Sequence, residues 1–300
     1  MARRQFKWTE KQLDKLSKVQ VVLEELQDYK PLTLRQIYYQ LVGKGYIENN
    51  KSQYTMLSIL LKWARIYGHI SWNDIEDRVR VLHNGSGWND KEEFIEDELT
   101  KFLSGYRRDL LQTQDKYIEV WIEKDALSSI FRRITFPYCI STVVCRGFSS
   151  VSFLNDFKNR LDYYPDKNPV MLYFGDFDPS GVEMLESIEI TLKDELGVNG
   201  IEFKRIALTE DDIYEYKLPH SPDALKRTDT RAKKHLEAYG ELAVELDALR
   251  PDVLEDKTRV SIEAELDIDD FNAEVERCND ESERLDLLKN EVVSFVSGKI

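Results

Sequence analysis

Between residues 116 and 208 the chain alternates between two periods. KYIEVWIE, CISTVVCRG, PVMLYFGD and IEFKRIAL are short runs rich in β-branched and aromatic residues. Each of the first three is followed by a helical pattern: DALSSIFRRI, SVSFLNDFKNRL and GVEMLESIEITLKDEL. This alternation leaves little freedom, because strands joined in turn by helices pair parallel with right-handed crossovers. An α/β parallel-sheet domain is therefore expected over 116–300. Its last 65 residues, 236–300, read as helical and hold 19 Asp/Glu against 7 Lys/Arg. They are expected to form a solvated acidic face that repels DNA, with a dimerisation or docking element as the alternative.

The first 84 residues have a different texture. Thr9 is placed to cap a helix through about Tyr29, stopped by Pro31. Thr33 is placed to cap LRQIYYQLVGKG, and Ser52 to cap SQYTMLSILLKWARIYG. The extended HISWNDIEDRVRVL follows, giving the order of an α-rich winged-helix domain at 1–84. Residues 85–115 read as a linker carrying a polar helix. Net charge is −14 overall, but residues 1–80 carry 14 Lys/Arg against 9 Asp/Glu while 81–300 carry 28 against 47. A basic module before an acidic body points to double-stranded DNA at the basic end. Lys62 and Arg65 on the third helix, with Arg78 and Arg80 on the wing, are candidate phosphate contacts.

Several classes are disfavoured. No run of 18 apolar residues suggests a membrane span, and MARRQFKWTEKQ lacks the apolar core of a secretory signal. Three scattered cysteines, Cys139, Cys145 and Cys278, suggest reduced thiols rather than a zinc site. A cytoplasmic, nucleoid-associated protein is expected. No phosphate-binding G-x-x-x-x-G-K-[ST] loop occurs, so the chain is not itself a P-loop ATPase. The four histidines lack ligand spacing and read as surface or capping residues. Trp8, Tyr46, Tyr54, Trp63, Tyr67 and Trp72 read as the small core of a winged helix, with stacking on bases as the alternative. The basic island DALKRTDTRAKKH at 223–235 is either a solvated face or a DNA track.

Three acids fall where strands end: Glu123 closing YIEVWIE, and Asp176 and Asp178 in VMLYFGDFD. Ligand-binding residues of open α/β sheets collect at those ends. If the chain stays extended, Asp176 and Asp178 share a face. Pro179 suits a first helical position and Asp178 an N-cap, which by itself would explain that aspartate. Convergent carboxylates without His or Cys suit Mg²⁺ or Mn²⁺.

WIEKDALSSIF, RGFSSVSFL and YFGDFDPSG together resemble the Toprim domain found in the DNA-cleaving subunit of topoisomerase VI and in the meiotic double-strand-break transesterases. The match departs at Phe148-Ser149-Ser150, where that family has Tyr-Pro-Asp. The resemblance implies a Rossmann-like Toprim domain, with Glu123, Asp176 and Asp178 holding Mg²⁺ and Lys124 near a phosphate. LRQIYYQL resembles the R-D-I-Y-Y motif of the same family, with Gln36 where an acid is common. It implies that Tyr39 attacks a DNA phosphodiester and stays joined to the 5′ end. It also implies a homodimer in which the tyrosine of one copy meets the metal of the other, and a possible separate ATPase subunit.

Helix geometry separates the two tyrosines. Leu34, Ile37, Tyr38, Leu41 and Val42 form an apolar stripe, so Tyr38 is expected in the core. Tyr39 lies about 100° further round, on the flank of Arg35, free to act as a nucleophile or to stack on bases, with the Arg35 cation placed to stabilise a phenolate or bind the phosphate under attack. Two other readings stand beside tyrosyl cleavage: a metal nuclease using water, and a DNA-binding subunit with no chemistry.

Overall fold

A computed structural model of the chain describes residues 6–76, 87–145, 147, 150–220, 225 and 230–298. Arg78 and Arg80, the second part of the expected wing, and the loop residues Phe148 and Ser149 lie outside them, as does part of the 223–235 island.

The N-terminal module holds α1 (Glu10–Glu25), β1 (Leu32–Thr33), α2 (Leu34–Gly43), α3 (Lys51–Ile66) and β2 (Ile75–Glu76). Thr9 and Thr33 close capping boxes, each hydroxyl accepting from a backbone N–H three residues on while Gln12 or Gln36 reaches back. Gln36 thus does the job an acid would do at that position. The third helix is capped by Asn50 rather than the expected Ser52, and starts at Lys51. β1 and β2 pair parallel and tie the chain entering α2 to the chain leaving α3. Among the aromatics expected to form its core, Trp8 and Tyr54 pack against it, but Tyr46, Tyr67 and Trp72 stay exposed.

Helix α4 (Lys91–Lys101) buries none of its residues. The α/β body then runs β3 (Lys116–Ile122), α5 (Ser128–Thr135), β4 (Ser141–Val144), α6 (Val151–Leu161), β5 (Asn168–Phe174), α7 (Pro179–Ile190), β6 (Glu202–Ala207), α8 (Glu210–Glu215), α9 (Thr230–Tyr239), α10 (Pro251–Glu263) and α11 (Ile268–Ser297). The four body strands form one parallel sheet in the order β4-β3-β5-β6.

Strand alternation sorts the side chains into two layers. Ile118, Val120, Ile122, Val170, Leu172 and Phe174 point to the face carrying α5, and share one apolar core with the N-terminal module. Trp121, Met171 and Tyr173 point to the other face, against Leu154, Phe157 and Met184. Helices thus cover both faces, as a parallel sheet requires. Glu119, fully buried in the second layer, is satisfied by Arg160 at 2.7 Å, Tyr117 at 2.6 Å and Trp121 at 2.8 Å. Among the described residues no helix is long and apolar enough to cross a membrane.

Candidate active site

From β3 the chain leaves toward β4 on one side, and from β5 toward β6 on the other. β3 and β5 are neighbours, so the strand order reverses between them. A crevice opens outside their carboxyl ends at such a point. Glu123 and Lys124 follow β3 there, and Asp176 and Asp178 follow β5. The Glu123 N–H donates to Phe174 O at 2.9 Å, and the Asp176 N–H donates to Glu123 Oε2 at 2.9 Å. Backbone pairing therefore delivers the glutamate to the aspartate.

The two aspartates, expected to point together, are drawn to different partners. Asp178 caps α7, Oδ1 accepting from the Gly181 N–H at 2.6 Å and the Ser180 hydroxyl at 3.0 Å. Asp176 Oδ1 accepts from the Leu246 N–H at 2.7 Å and faces Lys124 Nζ at 2.8 Å. Among the described residues no three His, Cys, Asp or Glu side chains stand as an open metal cage. Gly181 is required here: a Cβ on it would lie 2.3 Å from Asp176 O. The Arg205 guanidinium supports the turn, donating to the carbonyls of Leu208 at 2.7 Å and Gly181 at 3.0 Å.

A strap from the segment expected to be a solvated helical tail completes the site. Phe177 and Val244 exchange backbone hydrogen bonds at 2.9 Å each way, laying residues 244–248 across the end of β5. This adds Glu245 and Asp247. Lys124 Nζ lies 2.7 Å from Glu245, 2.9 Å from Asp247 and 2.8 Å from Asp176. Arg35, reaching in from α2, pairs with Glu245 and lies 3.4 Å from Asp247. One signal was present in the sequence. AVELDAL alternates acids with aliphatics in the same i, i+2 pattern as the D-x-D run, which is unusual for a solvated helix.

Tyr39 is not on a free flank. It is 4% exposed, and residues 36–41 of α2 are all buried. One side of α2 packs on α1 and α3, while the flank carrying Arg35 and Tyr39 meets the strap around Leu246. The Tyr39 side chain faces the Glu245 carboxylate. Burial and then that carboxylate hold the phenol well above its ordinary ionisation range, against the pull of Arg35 and Lys124. Arg35, expected to face a phenolate or phosphate, is occupied by the strap. The tyrosine thus meets the crevice of its own chain.

Burial opposes charge on Lys124, yet the three surrounding carboxylates keep its ammonium protonated well above the usual range. Glu245 resists burial in turn, held below the usual carboxylate range by Lys124 and Arg35. Burial first, with Glu123's like charge, pushes Asp176 up to about 7 despite Lys124. Glu123 is raised as well, mainly by burial. Oxygen-only acids at two adjacent strand ends are the donor chemistry of a hard divalent ion, though as they stand no three among the described residues are arranged as a metal site.

The remaining candidates lie apart. Lys62 is exposed on α3, its ammonium over the Trp63 ring. Arg65 is half-buried and stacks on Trp72 at 5.1 Å. His235, expected at the surface, is buried against Phe177 and Tyr239.

No model of a known protein family matches the chain, and a search of curated proteins returns no significant match. The fold and site define a class on their own: a mixed α/β protein with a four-stranded parallel sheet. Its carboxyl edge carries a buried cluster of acids and bases, closed by a helix from the basic module.

Proposed function

We propose that the protein is a Mg²⁺- or Mn²⁺-dependent DNA-cleaving transesterase, with a Toprim-type body and a winged-helix module, resembling the DNA-cleaving subunit of topoisomerase VI. One observation carries this reading: the buried Tyr39 of the basic module faces the Glu245 carboxylate, to which Lys124 of the sheet edge donates. A nucleophile, a proton acceptor and a phosphate-binding cation are thereby gathered beside three acids of metal-binding type.

Glu123, Asp176 and Asp178 would hold the ion after Asp176 turns from Lys124 and Asp178 from its helix cap, and the ion would supply charge neutralisation to the phosphate and leaving oxygen. The Tyr39 O–H passes its proton to Glu245. The phenolic oxygen bonds to phosphorus, the bond from phosphorus to the 3′ oxygen breaks, and that oxygen leaves with the electron pair and is protonated from solvent. Arg35 and Lys124 hold the phosphate oxygens once Glu245 has released them. Lys62 and Arg65 contact flanking phosphates. Double-stranded DNA is the substrate; the implied protein partners are a second copy and a separate ATPase.

Incubation of supercoiled plasmid with Mn²⁺, followed by denaturation, tests this. The wild type is expected to leave protein on 5′ ends, and Tyr39→Phe to leave none and cut nothing. The burial and raised ionisation range of Tyr39 favour a second reading, a metal nuclease using water. Full cleavage by Tyr39→Phe with no protein-linked ends would select it.

A further inference from the structure

We infer that Asp176, Glu245 and Asp247 form a cation position of their own, occupied by the Lys124 ammonium and open to a divalent ion when Lys124 swings out. Three carboxylates from two separate segments lie at 2.7–2.9 Å from one Nζ. That is an oxygen-only cradle around a single point, built as hard-cation sites are. Asp247 is a second, independent indication. Its side chain is 0% exposed, and neither oxygen has a hydrogen-bond partner, although both are shut away from water. A carboxylate aimed into the cradle and satisfied only by ion pairs is an unusual use of a buried acid.

Charge points the same way. Among the described residues the four acids Glu123, Asp176, Glu245 and Asp247 face three cations, Lys124, Arg35 and Arg205. Replacing the ammonium with a divalent ion adds the missing charge. Lys124 would then be free for a phosphate, so ion loading and phosphate capture become one exchange. The inference takes from the proposed function only that the crevice handles Mg²⁺ or Mn²⁺, and its test involves no DNA.

Mn²⁺ binding to the whole chain is followed by the electron paramagnetic resonance signal of the free ion. Lys124→Met keeps the length of the side chain and removes its charge. It is expected to bind one more ion than the wild type, or to bind at least tenfold more tightly, and adding Asp247→Asn is expected to cancel the gain. Equal number and affinity in Lys124→Met and wild type would overturn the inference. If Lys124→Met does not fold alone, Mn²⁺ is expected to restore its cooperative melt, and failure to restore it would also overturn the inference. Wild-type protein that binds Mn²⁺ but never cuts DNA would count against the cleavage reading alone.

Discussion

Tyr39 and Lys124, carried by separate modules of the chain, both face the Glu245 carboxylate, and Lys124 donates to it at 2.7 Å. The contact joins the basic module to the sheet edge through charge rather than through apolar packing alone. It also places three ionisable groups where each sets the protonation of the others.

Asp176 gives a pH signature. Its carboxyl titrates at about 7 in the folded protein, against about 4 for a free aspartate. Between about pH 4 and pH 7 the unfolded chain has released this proton and the folded chain has not, so stability falls as pH rises through that window. Asp176→Asn cannot ionise. Its melting temperature is expected to vary less between about pH 4 and pH 7 than the wild type's, as thermal denaturation at half-unit pH steps would show.

Asp247→Asn leaves Lys124 and Arg35 with one fewer counter-charge in a buried setting. Lys124 keeps Asp176 and Glu245, and Arg35 keeps Glu245, so no cation is left bare and the cost is about 1–3 kcal/mol. Urea denaturation is expected to register a loss of that order. In a double-mutant cycle with Lys124→Met the two losses should not add, because the residues share one contact.

Asp178 has two roles that substitution can separate. Its Oδ1 caps α7 through Gly181. Asp178→Ser keeps a capping oxygen and removes the charge, so its stability should stay near wild type while plasmid cleavage is lost. Asp178→Ala should lose cleavage and about 1 kcal/mol more stability than the serine variant, the cost of an N-cap.

Gly181→Ala places a methyl against the backbone carbonyl of Asp176, at a distance real Cβ atoms do not adopt. The helix start must move away from β5, and both aspartates move with it. A loss of about 2–4 kcal/mol is expected in chemical denaturation. Gly43→Ala, where the added Cβ meets nothing within 4 Å, serves as the control.

The four-strand parallel sheet was legible because each strand announces itself within eight residues and each crossover helix follows directly. The caps at Thr9 and Thr33 were legible for the same reason, being settled within one turn. Glu123, Asp176 and Asp178 were placed at strand ends correctly, but not the divergence of the two aspartates. Asp176 turns to Lys124 and to the Leu246 N–H, a donor far along the chain. Tyr39 was misplaced because helical periodicity locates only the first buried face. α2 has a second one, created by a strap that arrives from residue 244.

The sequence alone determined the α/β alternation, the helix starts and which carboxylates end which strands, since these depend on neighbours within a few residues and on backbone propensity. Only the tertiary structure decided that Glu245 and Asp247 enter the site, that Arg35 and Lys124 are held by them, and that Tyr39 is enclosed. Those outcomes depend on burial. A buried charge must find its partner wherever the fold brings one, and no local pattern in the chain specifies that meeting.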